Sequence, residues 1–143
     1  MSVIKQGTVF LDSCIFIYLV EENKTYLNLL MPLFQSMNEE KIVTISSELT
    51  LMEILIIPIR NKNQRLVQQY ESILYNSNGL KIKGIDKNIL KQAAFLRANS
   101  TLKTPDAIQM AVAIQNGCNF FLTNDRQIPK DLGIKPIQLN DYL

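Results

Sequence analysis

The sequence contains no histidine. This excludes a Ser-His-Asp or Cys-His nucleophilic site and any zinc centre that needs imidazole, so acid-base or metal chemistry must use carboxylates, lysines or tyrosines. Cysteine is nearly absent. Cys14 and Cys118 are the only two, and their separation suits neither a metal site nor a disulfide framework; both read as packed thiols in a reducing cytoplasm. Charge of one sign is scarce as well: 15 Lys and Arg against 13 Asp and Glu leave a net +2, which is no polycation footprint for nucleic acid. Long apolar runs are missing too. The start Met1-Ser2-Val3-Ile4-Lys5 lacks the apolar region of a signal peptide, and no run approaches the roughly 18 apolar residues of a membrane span. A soluble, cytoplasmic protein that does not associate with membranes is expected.

What is present is a 143-residue chain that is 47% apolar, enough for the core of one domain over residues 1–143. Val9-Phe10-Leu11 reads as a short strand apolar on both faces, as in a buried parallel sheet. Asp12 follows it directly. That carboxylate either caps the helical segment Ser13 to Val20 or sits where open α/β folds place their chemistry, past the carboxyl end of a strand.

The remaining pattern alternates strands with helices. Lys24 to Met37 has helical spacing, with Pro32 as a kink or a second start. Lys41 to Ile45 is a strand, and Ser46-Ser47 supply a cap for a helix from Glu48 to about Arg60 that Pro58 kinks or ends. Arg60 to Arg65 reads as a loop, and Leu66, Val67, Tyr70, Ile73 and Leu74 mark an amphipathic helix. Leu80 to Ile85 is a short strand, and Asp86 caps the helix carrying Ile89, Leu90, Ala93, Ala94 and Leu96. Thr104-Pro105-Asp106 opens another helix as cap, first-turn proline and acid, which Gly117 ends. Asn119 to Leu122 and Leu132 to Leu139 are the last strands. This alternation predicts a parallel sheet with helices on both faces.

Most of the 13 acids belong to polar faces, loops or the tail. Four do not. Asp12 and Asp125 follow buried strands, Asp106 opens a buried helix, and Glu53 is the one charge in Leu51-Met52-Glu53-Ile54-Leu55-Ile56-Ile57. Glu53 either turns to solvent or joins a site that wants its charge, because an unpaired buried carboxylate costs several kcal/mol. Parallel strands end on one side, so Asp12 and Asp125 share an edge of the sheet that the two helical acids can reach. Their mutual repulsion calls for a divalent cation, and hard oxygen donors suit Mg²⁺ or Mn²⁺. Such an ion acidifies water and polarises a phosphoryl oxygen without histidine.

The segments Phe10-Leu11-Asp12-Ser13-Cys14-Ile15-Phe16-Ile17-Tyr18, Leu49-Thr50-Leu51-Met52-Glu53-Ile54-Leu55, Pro105-Asp106-Ala107-Ile108-Gln109-Met110-Ala111 and Phe121-Leu122-Thr123-Asn124-Asp125-Arg126 resemble the PIN-domain ribonucleases, especially VapC-type toxins of toxin-antitoxin pairs. They occur in the family's order and span nearly the whole chain. The resemblance implies a three-layer α/β fold whose five parallel strands run in order 3-2-1-4-5. It also implies an endoribonuclease in which Asp12, Glu53, Asp106 and Asp125 hold Mg²⁺ or Mn²⁺, with Thr123 orienting the last acid or a metal water and Ser13 hydrogen-bonding within the site. Many relatives have Asn where this chain has Cys14. RNA is the implied substrate, with a cognate antitoxin and a homodimer as partners, both drawing on the Tyr26 to Met37 helices.

For RNA phosphates, Arg126 and Lys103 are the candidates nearest the acids, and Arg60, Lys62 and Arg65 extend a basic rim. A signalling receiver domain fits poorly, because neither its phosphoacceptor Asp nor its lysine is placed here. A phosphatase of the haloacid dehalogenase type would need an Asp where Cys14 stands. A catalytically silent PIN-like module for RNA binding or interaction is the main alternative.

Overall fold

An apolar triplet such as Val9-Phe10-Leu11 can be a strand in water only if both of its faces are covered. A computed structural model, which describes Ile4 and residues 6–143, covers both. The elements run β1 (Thr8–Leu11), α1 (Ser13–Val20), α2 (Leu27–Asn38), β2 (Val43–Ser47), α3 (Glu48–Arg60), α4 (Gln64–Asn76), β3 (Leu80–Lys83), α5 (Lys87–Ala98), α6 (Thr104–Gln115), β4 (Phe120–Thr123) and β5 (Lys135–Gln138), followed by a 3₁₀ turn at Leu139–Tyr142. The five strands form one sheet in the order β3-β2-β1-β4-β5, all parallel. This is the expected three-layer α/β architecture.

Alternation along β1 divides the core in two. Val9 and Leu11 pack with Ile15, Phe16, Leu33 and Tyr70, from α1, α2 and α4. Phe10 points the other way, toward Ile89, Leu96, Ala107 and Met110 of α5 and α6. There it stacks on Phe121 of β4, ring centroids 4.9 Å apart and 11° from parallel. Small Ala107, Ala111 and Ala113 are wholly buried, which lets α6 lie close on the sheet. Register pairs Phe10 with Phe121 and Leu11 with Leu122, so β1 and β4 finish side by side.

Several boundaries differ from expectation for identifiable reasons. Ser46 and Ser47 lie in β2, pairing with Ile82 and Lys83; Ser47 is a strand residue that also caps α3 by accepting from Leu49 N. Pro58 neither stops nor shortens α3, which runs on to Arg60. The cap of α6 is Lys103 and not Thr104, with no side-chain cap bond, because the Thr104 hydroxyl accepts from Arg97 Nη1 at 2.9 Å instead. Asp86 caps α5 as expected, accepting from Ile89 N.

Gly79 precedes β3 at a close backbone crossing. Its φ is +76° and an added Cβ would lie 2.1 Å from the Met37 carbonyl oxygen, so only glycine fits there. The apolar stripe of α2 goes into the core through Leu30, Leu33, Phe34 and Met37, while Met31 is exposed. Cys14 and Cys118 are free thiols. Among the described residues no helix is long and apolar enough to cross a membrane.

Candidate active site

The parallel order brings the strand ends of β1 and β4 together, and the next residues of each chain segment meet there. Asp12 N donates to Leu122 O at 3.0 Å, so Asp12 extends the ladder by one residue beyond β1. Its side chain is held at both oxygens: Ser13 N donates to Oδ1 at 2.8 Å, and Thr123 Oγ1 donates to Oδ2 at 2.7 Å. Capping and site membership therefore coexist at Asp12. Thr123 is wholly buried, and its hydroxyl also accepts from Asp125 N at 2.9 Å. One hydroxyl thus ties the first acid to the backbone of the last.

Asp125 is fixed further by Gln127 N, which donates to Oδ1 at 2.9 Å. Gln138 Nε2, from the end of β5, donates to its carbonyl oxygen at 2.8 Å. Glu53 does not turn to solvent. It is half-buried on α3, and Gln109 Nε2 of α6 donates to its Oε1 at 2.9 Å. Gln109 is 1% exposed and sits in a buried polar chain: its Nε2 also donates to Thr50 Oγ1, and its Oε1 accepts from Ser47 Oγ. Ser46 Oγ lies 2.8 Å from both Thr50 Oγ1 and the Leu11 carbonyl oxygen.

Asp106 occupies the first turn of α6, half-buried, and it feels every other acid. Burial, a hydrogen bond and charge from Asp125, and the charges of Asp12 and Glu53 push its carboxyl up to about 7. Burial raises Asp12 as well, with a contribution from Asp125, against the hydrogen bonds of Thr123 and Ser13. Glu53 is raised by burial and by Asp12, opposed by Gln109 and Ser13. No lysine or arginine contributes to these shifts. Burial and the Asp12 charge also push the neighbouring Cys14 thiol up to about 12, which keeps it protonated.

A PIN domain matches residues 9–131. The chain belongs to the PIN-domain family. The PIN fold of this chain is similar to that of VapBC2 from Rickettsia felis bound to a DNA fragment from their promoter, with a TM-score of 0.69 and 16% identity over 92% of this chain and 98% of that one. It is also similar to a toxin-antitoxin complex from Klebsiella pneumoniae, TM-score 0.67 and 20% identity over 92% and 97%. A third is VapC20 of Mycobacterium tuberculosis, a sarcin-ricin loop cleaving toxin, TM-score 0.62 and 16% identity over 86% and 91%. No curated protein sequence matches the chain.

The basic candidates fare unevenly around this PIN-domain cluster. Arg126 is engaged by Asp141, with Nη2 2.6 Å from Oδ1 and Nη1 3.3 Å from Oδ2. Lys103 is exposed at the start of α6, and Arg60 at the end of α3, Lys62 between the helices and Arg65 in the first turn of α4 are exposed too; none of the four makes an ion pair among the described residues. Gln109, Thr50, Ser46 and Ser47 were not expected at the site. Gln109 carries a legible signal, being the only strongly polar side chain between Asp106 and Ile114, while the serines and Thr50 look like cap and surface residues in sequence.

Proposed function

We propose that the chain is a metal-dependent endoribonuclease and the toxin of a toxin-antitoxin pair. One observation carries this reading: four carboxylates from four elements face one another at the carboxyl edge of the sheet, and no cation is among the groups that shift Asp12, Glu53 and Asp106. Among the described residues no three such side chains are gathered closely enough to hold a metal ion as they stand. An all-oxygen anionic donor set fits Mg²⁺ or Mn²⁺. Asp12, Glu53, Asp106 and Asp125 would hold the ion.

When bound, such an ion supplies Lewis-acid polarisation of a phosphoryl oxygen and a more acidic water. The chain's own residues do the positioning. Thr123 fixes Asp12 Oδ2 and the Asp125 backbone in one contact, and Gln109 holds Glu53 toward Asp12. With no histidine in the chain, the carboxylates of the cluster are the side chains placed to take the proton from the attacking water, while the leaving oxygen takes a proton from solvent. Lys103, at the start of the helix that carries Asp106, is exposed and without an ion pair among the described residues, and so is available to an RNA phosphate; Arg126 would first have to leave Asp141.

The solved relatives that are toxin-antitoxin complexes, and the sarcin-ricin loop cleaving toxin among them, support the toxin reading. So does the outer face of α3, where Met52, Ile56 and Ile59 are 56%, 45% and 60% exposed beside an apolar cavity of about 570 Å³. Apolar surface so concentrated marks an interaction site, and we assign it to an antitoxin segment in place of α2, whose stripe is buried. Leu90 and Phe95 on α5, also exposed, would serve a second copy.

The test is cleavage of RNA by purified protein with Mg²⁺ or Mn²⁺, abolished by EDTA and by Asp12→Asn with the circular dichroism spectrum retained. RNA binding without cleavage under any of these ions would instead favour the silent binding module.

A further inference from the structure

Where β4 ends, the chain bends before it presents Asp125, and the residue at the bend is Asn124. Its side chain is held from both sides. Nδ2 donates to the Tyr18 hydroxyl of α1 at 3.2 Å, and Oδ1 accepts from Asn140 N, in the 3₁₀ turn after β5, at 2.9 Å. Asn140 is held in turn, because its Oδ1 accepts from the hydroxyl of Tyr26, the residue that precedes α2. The ring closes where Tyr26 stacks on Tyr18, centroids 4.3 Å apart and 25° from parallel.

The segment that supplies Asn140 grips the loop of the last acid at three successive residues. Asn140 bonds Asn124, Gln138 Nε2 bonds the Asp125 carbonyl oxygen at 2.8 Å, and Asp141 pairs with Arg126. Leu139, wholly buried, roots this segment in the core cluster of Leu11 and Ile15. The grips differ in strength. Arg126 and Asp141 are both more than half exposed, and ion pairs of that kind contribute little. The neutral bonds of the ring replace bonds to water, so they too add only modestly to stability. Their hold on geometry is greater. Gln127 N, which donates to the Asp125 carboxylate, lies in the same loop and moves with it, whereas the ring ties that loop to α1, the helix that Asp12 caps. A displacement of about 1 Å at reacting groups can cost roughly a hundred-fold in rate.

We infer that Asn124 and Asn140 are positioning residues for Asp125: the ring they form with Tyr18 and Tyr26 sets the direction in which the last acid leaves β4, relative to the helix that Asp12 begins. The inference rests on the ribonuclease reading for the reaction it affects, but the placement belongs to the metal-free protein.

The test measures kcat, KM for a short RNA and the Mg²⁺ concentration for half-maximal rate in the full chain. Asn124→Ala breaks both bonds of its side chain. It is expected to lower kcat about 10–100-fold, the scale for a partner that orients a ligand, and to raise the Mg²⁺ requirement with KM for RNA unchanged. Asn140→Ala, at an exposed position, should shift the same two quantities less, and Asn140→Asp, which keeps the acceptor for Tyr26, should restore them. Adding Tyr26→Phe to Asn140→Ala should cost nothing more, because each removes the same bond. Hydrogen exchange of metal-free protein reads the placement without any reaction. There Asn124→Ala, or Asn140→Ala if the first does not fold, should speed exchange at the Gln127 amide and leave that of Thr8, at the far end of the β1–β4 pair, unchanged. The inference is overturned if kcat and the Mg²⁺ requirement keep their wild-type values, if Asn140→Asp is as impaired as Asn140→Ala, or if Gln127 exchange is unaltered. Faster Gln127 exchange in the variants of a protein whose wild type cleaves no RNA with Mg²⁺ or Mn²⁺ would remove the nuclease reading and leave the positioning role standing.

Discussion

The two ends of the β1–β4 pair are built on opposite terms. At the amino end Asn119 and Thr8 close the ladder reciprocally: Asn119 Oδ1 accepts from Thr8 N at 2.9 Å, and Asn119 N donates to Thr8 O at 2.8 Å. Both contacts join neutral groups. At the carboxyl end the same two strands deliver Asp12 and Asp125 into a cluster where burial and like charge raise Asp12, Glu53 and Asp106 together. One end serves the fold, and the other holds charge that the fold does not neutralise. Stability given up at a site of this kind is a common signature of function.

The sharpest way to break the contrast is to neutralise the acid end. Asp12→Asn is expected to lower metal-dependent RNA cleavage by at least about a hundred-fold, since a primary ligand should matter no less than the outer-shell partners whose loss costs about 10–100-fold. The same variant should melt higher than wild type in EDTA and lose the rise in melting temperature that Mg²⁺ gives wild type. Lower melting in EDTA would deny that the cluster is repulsive.

Next in size is the neighbour that positions an acid without belonging to the cluster. Gln109→Leu should lower activity about 10–100-fold and raise the Mg²⁺ concentration needed for half-maximal rate, with Gln109→Glu worse because it adds a fifth carboxylate. An unchanged metal titration would reduce Gln109 to a packing residue.

The amino end should respond in stability alone. Asn119→Ala removes the acceptor of Thr8 N and is expected to cost about 1–2 kcal/mol in urea unfolding, with specific activity unchanged at a temperature where both proteins are folded. A loss of activity comparable to that of Gln109→Leu would mean the two ends are not independent.

The mildest test is pH. Asp106 has an ordinary carboxyl value of 3.8 and about 7 in the fold. A raised carboxyl favours the folded state only while protonated, so stability contributed near this group is full below about 4, falls as pH rises and levels off above about 7. Urea unfolding of metal-free protein between pH 4 and 8 should show that decline, and Asp106→Asn should flatten it.

The acid end was largely legible because its signals are local. Asp12 and Asp125 each follow an apolar strand, Asp106 follows a proline at a helix start, and Glu53 interrupts an apolar helix. The strand-helix alternation gave the parallel sheet for the same reason, whereas its 3-2-1-4-5 order came from resemblance. What stayed hidden depends on partners far along the chain. Gln109 bonds Glu53 across 56 positions, and Gln138 reaches the Asp125 carbonyl from 13 positions further on. Arg126 looked like a free cation until Asp141, 15 residues on, occupied it. Thr104 read as a helix cap, and Arg97 claimed its hydroxyl.

The bond from Thr123 to Asp12 spans 111 positions, and that separation has a temporal meaning. In a polypeptide emerging from the ribosome, Asp12 is 111 positions ahead of Thr123, so β4 can insert beside β1 only after everything between them has been made. Until that insertion, no truncated or nascent form has two acids on adjoining strands. On the proposed function, assembly by late closure is a built-in delay: the acids after β1 and β4 meet only once the exposed face of α3 has already been made and is available to a restraining partner.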